Sequence, residues 1–215
     1  LESLPVGKHT LLQEVDYFST ASGGGFAAGS YISALYDHLE SRKPESFCFA
    51  RALLEEDGKR RDALRRDYQV SILTQWLDWR CFGFLDAGDL MEKAFDRHLL
   101  GSKYRRSHRS LLLGDVFKAD GSSEPVRMPY WIANATVYEN GARFPFVPES
   151  IRHYRICRYA HNMRLSALKG DPFSLPLAVG MRASASFPVI IPAATFACDP
   201  EADKLNRYLH MVDGG

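Results

Sequence analysis

The sequence has few of the features that indicate a metal centre, a disulfide framework or a membrane span. Its four cysteines, Cys48, Cys81, Cys157 and Cys198, lie far apart and form no C-x-x-C pair. This spacing excludes a dense disulfide framework and argues against a structural zinc site. We interpret the cysteines as free, mostly buried thiols in a reducing compartment. No apolar run approaches the length that a membrane-spanning helix needs.

An excess of charge of either sign is also missing. Lysine and arginine together number 27 and aspartate and glutamate 26, which gives a formal net charge of +1. Because no global field favours a polyanion, we expect no nucleic-acid partner. The seven histidines show no paired spacing of metal ligands. The glycine run at 23–25 has neither a G-K-[ST] ending nor a G-x-G-x-x-G spacing, so we predict no metal and no cofactor.

The patterns that are present predict an α/β fold. With 215 residues, of which 46% are hydrophobic, the chain can form one well-packed core, and we predict a single domain over residues 1–215. A short buried strand over 15–20 is followed by a glycine-rich break and a small-residue helix over 26–36. Residues 45–100 carry apolar side chains at three- and four-residue spacing, which is typical of amphipathic helices.

The second half of the chain alternates strand and helix patterns. We predict a strand over 129–137, a tight turn over 139–141, a returning strand over 142–147, a helix that starts near 171 and runs through 177–186, and a strand over 210–212. Strands that alternate with helices, after an early strand–turn–helix, favour an α/β sandwich.

The early turn, Ala21-Ser22-Gly23-Gly24, has the layout of a nucleophile elbow. A sharp turn exposes the weakly nucleophilic serine hydroxyl, and small neighbours keep side chains from colliding with the strand and the helix. The backbone N–H groups that begin the helix can stabilise an oxyanion. Thr20 stands where the G-x-S-x-G consensus has its first glycine. A close-packing turn or a phosphate cradle therefore remains open as an alternative.

The order of residues along the chain argues against a Ser–His–Asp triad. Ser22 lies almost at the start, whereas several strands precede the nucleophile in α/β-hydrolases, and no histidine follows Asp213. His210 is three positions from Asp213 on a strand, so its side chain points to the opposite face. Asp213 itself precedes two glycines, a pattern that is also common in ordinary turns.

Four stretches of sequence occur in a characteristic order: the elbow over 18–25, Asn-Ala-Thr within the strand over 131–136, an Ala-Ser-rich helix ending in proline over 182–188, and Asp-Gly-Gly at 213–215. Together they resemble the patatin-like phospholipase family, whose signature is a serine in a glycine-rich elbow and an Asp-Gly-Gly or Asp-Gly-Ala far downstream. The resemblance covers nearly the whole chain.

The resemblance implies a patatin-like three-layer sandwich, with a central, mostly parallel sheet flanked by helices. It also implies a catalytic dyad in which Asp213 accepts the Ser22 proton and Ser22 attacks the ester carbonyl of a lipid. Gly23, Gly24 and Gly25 would form the elbow and the oxyanion site. Gly214 and Gly215 would let the two catalytic side chains approach closely. A carboxylate is a weak base, so Asp213 would need a partly desolvated position.

One departure from the family keeps other functions open. The family has a first glycine-rich loop, Asp-Gly-Gly-Gly-x-Arg-Gly, and nothing in residues 1–20 matches it. We expect a fragment that lacks this loop and the continuation beyond the acid, or an oxyanion site made by Gly23 and Gly24 alone. The alternatives are a general carboxylesterase or thioesterase with the same dyad, and a non-catalytic domain that binds lipid or a partner.

Two further segments allow contact with a membrane surface. Trp76, Trp79, Phe82 and Phe84 cluster around Arg80 and fit an interfacial patch or lid, or equally an aromatic core stripe. The basic patch over 103–109 fits anionic head groups or a solvated surface. We therefore expect a soluble protein, cytoplasmic or peripherally bound to a membrane, with a lipid ester as its substrate.

Overall fold

The computed structural model describes residues 1–6, 9–41, 46–54, 58–66, 86–101, 110–117, 128–161, 164–168, 171–187, 191–199 and 208–214. The strands are β1 (Pro5–Val6), β2 (His9–Thr10), β3 (Tyr17–Ala21), β4 (Tyr130–Val137), β5 (Arg143–Phe146), β6 (Ile156–His161), β7 (Arg164–Ala167), β8 (Ala194–Cys198) and β9 (Tyr208–Asp213). The α-helices are α1 (Gly24–Ser41), α2 (Phe49–Leu54), α3 (Lys59–Arg65), α4 (Ala87–Ala94), α5 (Leu113–Phe117), α6 (Pro148–His153) and α7 (Leu177–Ala185). A π-helical turn, Phe95–Leu99, continues α4, and a 3-10 turn, Pro172–Ser174, precedes α7.

The main sheet is mixed and mostly antiparallel. Among the described residues it contains seven strands in the order β3-β4-β9-β8-β6-β7, with β5 also paired to β4. Only β3 and β4 run parallel there, with Tyr17 opposite Tyr130. The remaining described pairs in this sheet are antiparallel. The predicted α/β class is confirmed, whereas the predicted predominance of parallel pairing is wrong.

Antiparallel neighbours can be joined by a short turn, whereas a parallel pair needs a crossover of a dozen residues or more. The link from β3 to β4 is a long crossover of this kind and carries helices. By contrast, β4 and β5 are joined by a hairpin turn in which Gly141 has a φ of 68°. Asn140 accepts the Ala142 N–H in that turn, as expected for an Asn-Gly turn. The tight turn and the returning strand are thus confirmed.

The neighbouring strands β3 and β4 differ in burial. β4 alternates half-buried and buried positions, so the strand prediction there is confirmed. β3 was predicted to be buried, but it lies at the end of the strand order and Tyr17 is 68% exposed. A strand at the edge of a sheet buries less of its surface than a central strand. The aromatic and β-branched residues of β3 therefore indicate a strand without showing that it is buried.

Helix α7 lies at the centre of the fold. Every residue from Leu177 to Ala185 is buried, and the helix contacts α1, α4, β4 and β9. The helix prediction is confirmed, but the segment at Asp171 is a separate 3-10 turn, in which the Asp171 side chain accepts the Phe173 N–H. Pro176 precedes the α-helix proper.

Helix α1 packs on α7 through small residues. It begins at Gly24 and continues to Ser41, beyond the predicted end at residue 36. A Cβ on Gly29 would lie 2.9 Å from the Met181 sulfur, so glycine allows the two helices to approach. In the predicted helical region over 45–100, α2, α3 and α4 are confirmed, and residues 67–85 lie outside the described residues.

The core joins the helices to the sheet. Its largest fully buried side chains come from both layers: Trp131, Phe95, Phe144, Phe146, Phe196, Ile32, Leu35, Met91, Leu99, Leu100, Leu111 and Leu113. No helix within the described ranges combines the length and the apolar character that crossing a membrane requires.

Gly180 provides a test of this packing. A Cβ at Gly180 would lie 2.6 Å from the Phe146 ring, which packs at a 5.9 Å centroid distance from Phe196. We expect Gly180→Ala to lower stability by about 1–3 kcal/mol through overpacking, although alanine is intrinsically the better helix former. Urea unfolding of the single variants and of Gly180→Ala with Phe146→Leu should show that the second change offsets part of the first. Strictly additive losses would contradict the contact.

Candidate active site

The candidate serine and the candidate acid meet at the C-terminal end of α7. The last carbonyl groups of a helix lack partners within it. The Ser184 carbonyl accepts the Ser22 N–H at 3.0 Å and the Gly214 N–H at 3.4 Å. The Ser186 carbonyl, just past the helix, accepts the Asp213 N–H at 2.9 Å. Two turns from opposite ends of the sequence are thus held on one helix end.

The pairing of β4 brings the same two turns together. Ala21, the last residue of β3, lies opposite Asn134, and Asp213, the last residue of β9, lies opposite the next residue, Ala135. Since β3 runs parallel to β4 and β9 runs antiparallel to it, the carboxyl ends of the two strands meet at this point.

The backbone at Ser22 is strained in the way that an elbow requires. Its φ is 50°, in the left-handed region that non-glycine residues rarely adopt. The Gly25 N–H donates to the Ser22 carbonyl at 3.0 Å, which turns the chain directly into α1. Among the described contacts, the N–H groups of Gly23 and Gly24 have no acceptor, and both residues are exposed. These two N–H groups are therefore available to an anion beside Ser22.

Side chains at positions 23–25 were expected to collide with the neighbouring strand and helix, and this expectation is wrong. A Cβ on Gly23 would meet nothing within 4 Å, and a Cβ on Gly24 would make only ordinary contact, 3.6 Å from the Thr20 Cβ. A Cβ on Gly25 would lie 3.8 Å from the Trp131 ring, which is also ordinary contact. Small side chains at these positions would therefore not collide with the neighbouring strand.

Thr20, the departure from the elbow consensus, has its own place in the structure. Its hydroxyl accepts the indole N–H of Trp131 at 2.9 Å, and Trp131 is only 2% exposed. A Cβ on Gly24 would lie 3.6 Å from the Thr20 Cβ, and a Cβ on Gly25 would lie 3.9 Å from the Thr20 hydroxyl oxygen, so the Thr20 side chain fits beneath the first turn of α1 in ordinary contact.

Packing requires a glycine at Gly214, the residue that follows the candidate acid Asp213. A Cβ on Gly214 would lie 2.1 Å from the Asn134 carbonyl oxygen, so the chain passes β4 too closely for any side chain. Asp213 is the last residue of β9 and is half-buried. Gly215 lies outside the described residues. The close approach accounts for the Asp-Gly pair in terms of packing against β4.

The hydroxyl of Ser22 and the carboxylate of Asp213 are brought to one region without being bonded. Within the described part of the chain, the Ser22 hydroxyl has no hydrogen-bond partner. Catalytic hydrogen bonds are often long or poorly aligned in enzymes without substrate, so this geometry is compatible with a base and a nucleophile.

Asn134 and Ser184 have polar side chains that join β4 to β3 and to α7 beside the two turns, and neither was assigned a role from the sequence. The Asn134 amide donates to the Ser19 hydroxyl at 3.0 Å and to the Thr20 carbonyl at 3.1 Å. The Ser184 hydroxyl donates to the Asn134 carbonyl at 2.6 Å. An asparagine inside an otherwise apolar strand, and a serine inside an apolar helix, were the signals that could have identified them.

His210 is engaged elsewhere. Its Nδ1 contacts the Glu139 carboxylate in the turn after β4. Partial burial acts to raise the pKa of Glu139, but hydrogen bonds, that of His210 first among them, hold it below its usual value. This contact occupies the histidine nearest to Asp213 in the sequence, in agreement with the expectation that it does not serve Ser22.

The predictions about cysteines, metal ligands and surface patches can be compared with the structure only where the residues are described. Cys48, Cys157 and Cys198 lie outside any disulfide, as predicted. The expected burial holds for Cys198 only, because Cys48 and Cys157 are half-buried, and Cys81 lies outside the described residues. Across the described ranges, no three His, Cys, Asp or Glu side chains are arranged to hold a metal ion. The aromatic cluster over 76–84 and the basic patch over 103–109 also lie outside those ranges.

Comparison of the chain with protein-family models, with curated proteins and with solved structures finds no match.

Alanine substitutions at Gly214 and Gly23 test the packing of the two turns. We expect Gly214→Ala to lower stability by about 1–3 kcal/mol or more, because its Cβ cannot fit against the Asn134 carbonyl. Gly23→Ala, where a Cβ has open space, should unfold at nearly the wild-type midpoint in urea. Equal midpoints for the two variants would show that the acid turn does not press on β4.

Proposed function

We propose that this protein is a patatin-like serine lipid acyl hydrolase, of the phospholipase A or lysophospholipase type, with Ser22 as nucleophile and Asp213 as base. The observation that carries the proposal is the docking of both turns on the Ser184 and Ser186 carbonyls. The strained φ of Ser22 and the unengaged N–H groups of Gly23 and Gly24 support it further. On this proposal the α/β fold is the family's three-layer sandwich, although its sheet is mostly antiparallel.

The first half of the reaction forms an ester on the protein. The Ser22 oxygen attacks the carbonyl carbon of the substrate while its proton passes to the Asp213 carboxylate. The carbonyl oxygen becomes an oxyanion, which the N–H groups of Gly23 and Gly24 stabilise by hydrogen bonds. When the tetrahedral species collapses, the bond to the alcohol breaks, and the departing oxygen takes the proton from Asp213.

The second half repeats the chemistry with water. Asp213 accepts a proton from a water molecule as the water oxygen attacks the acyl carbon. The oxyanion again forms beside Gly23 and Gly24, and its collapse breaks the bond to Ser22. The Ser22 oxygen recovers the proton from Asp213, and the fatty acid leaves. No metal or redox group is needed for any of these steps.

Apolar side chains beside the two turns support a lipid substrate. Phe187 directly follows Ser186, whose carbonyl holds the acid turn, and it is 51% exposed. Phe26 lies in the first turn of α1 after Ser22, half-buried against Phe95 with ring centroids 4.7 Å apart. An exposed phenylalanine at a site that binds a polar ester group is suited to contact an acyl chain.

The second candidate function is a non-catalytic patatin-like domain that binds lipid or a partner. The Ser22 hydroxyl favours it, because this hydroxyl has no hydrogen-bond partner among the described residues and an activated serine needs a base within reach in the substrate complex. A general carboxylesterase with the same dyad is the third candidate, and its substrates would be short-chain esters rather than lipid surfaces.

Substitution of the two residues tests the proposal. We expect Ser22→Ala and Asp213→Asn each to lower kcat by about three orders of magnitude or more, and the double variant to lose little beyond either one, because parts of one catalytic unit are not additive. The assay compares a short-chain p-nitrophenyl ester with phosphatidylcholine vesicles. Higher activity on vesicles supports a lipid hydrolase, and activity on the short ester alone supports the carboxylesterase.

Ser41→Ala is the matched control for Ser22→Ala. Ser41 is the last residue of α1, and among the described residues its hydroxyl binds the local His38 carbonyl, so removing it should leave kcat unchanged. Wild-type protein that binds vesicles without hydrolysing either substrate would favour the non-catalytic domain. Turnover by Ser22→Ala at the wild-type rate would remove Ser22 from the mechanism.

A further inference from the structure

Arg182 is a charged residue buried inside the protein, on the helix that holds both turns. Its side chain is 3% exposed. The guanidinium binds Asp89 at 3.0 Å, Asp86 at 3.3 Å and Glu92 at 3.7 Å. These three acids belong to α4 or to the residue that caps it. The ion pairs therefore fasten α7 to one neighbouring helix.

The cluster is held in a single arrangement. Asp86 and Asp89 form a capping box at the start of α4, in which the Asp86 side chain accepts the Asp89 N–H. A Cβ on Gly88 would lie 2.3 Å from the Arg182 guanidinium, so the charged group packs directly on the α4 backbone. Burial, together with the negative charges of Glu92 and Asp89, raises the pKa of Tyr159 to about 12. A buried charge with such partners is costly to move, because movement would leave charges unpaired.

The backbone of Arg182 belongs to the same helix end that binds the two turns. The Arg182 carbonyl accepts the Ser186 hydroxyl at 2.8 Å. Ser184 and Ser186 in turn accept the N–H groups of Ser22, Gly214 and Asp213. A rotation or a translation of α7 would therefore shift the Ser22 turn and the Asp213 turn.

We propose that Arg182 is a positioning residue for the Ser22–Asp213 site, which it holds in register by fixing α7 to α4 through Asp86, Asp89 and Glu92. It touches no substrate and transfers no proton. This inference rests on the proposed hydrolase function for its kinetic part. Its structural part, the docking of the two turns, is independent of any reaction.

Arg182→Lys is the main test, because lysine keeps the charge and loses the planar fork that reaches several carboxylates at once. We expect kcat on the short-chain ester to fall roughly tenfold to a hundredfold with little change in KM, since displacements near 1 Å in catalytic geometry cost on that order. Asp86→Asn is the milder second variant. Its carboxylate is partly exposed and asparagine caps helices as well as aspartate does, so the fold should be retained.

The pair between Arg60 and Asp37 supplies the matched control. These residues join α3 to α1 at 3.1 Å, they are largely buried, and neither lies on α7. Arg60→Lys should lower the melting temperature to a similar extent as Arg182→Lys while leaving kcat unchanged. If both variants reduced kcat in proportion to their loss of stability, the positioning role would be overturned.

Amide hydrogen exchange gives a readout that does not depend on activity. In Arg182→Lys and Asp86→Asn, the N–H groups of Ser22, Asp213 and Gly214 should exchange faster, while the N–H of Val137, bonded to Ala142 in the β4–β5 hairpin, should not change. Faster exchange in a protein that hydrolyses no ester would support the docking role and count against the hydrolase. Unchanged exchange in folded variants, or faster exchange with wild-type kcat, would overturn the inference.

Discussion

The structure depends on the carbonyl groups at the end of one buried helix. Helix ends leave carbonyls without partners, and in α7 they are satisfied by N–H groups from two turns that are remote in the sequence. The Ser184 carbonyl alone binds both Ser22 and Gly214. These hydrogen bonds remove the free-energy cost of leaving backbone carbonyl groups unpaired at a buried helix end. It also gives the serine and the aspartate a common reference point, so that their relative position does not rely on loops.

The rest of the molecule fixes α7 in place. The sheet supports it through β4 and β9, whose pairing ends at the acid turn, and Gly29 lets α1 approach Met181 closely. Arg182 adds an ionic attachment to α4. A site that is assembled from strand ends and a helix end, rather than from flexible segments, is suited to hold a strained residue such as Ser22 at φ 50°.

The sequence predicted the parts of this arrangement that depend on local chemistry. Ser22 was chosen as a serine beside glycines between a strand pattern and a helix pattern, and the strand β4, the helix α7 and the β4–β5 turn follow from periodicity and turn residues. The role of Asp213 came from the family resemblance, since an aspartate before two glycines is also common in ordinary turns. Strand partners were harder to predict, because periodicity does not say which strand lies alongside, and parallel pairing was wrongly expected. The buried fit of Thr20 against Trp131, and the tight contact of Gly214 with β4, depend on distances between segments far apart in the chain. No local pattern reports such distances.

The most direct measurement is covalent labelling with an alkyl fluorophosphonate, followed by mass mapping of the modified peptide. In this reaction the serine oxygen displaces fluoride from phosphorus, so only a serine activated by a base reacts rapidly. The account predicts a single modification at Ser22 and a much slower reaction in the Asp213→Asn protein, in which we expect the Gly214 contact and the fold to be retained. Labelling at another serine, or labelling of Ser22 at the same rate without the Asp213 carboxylate, would contradict it.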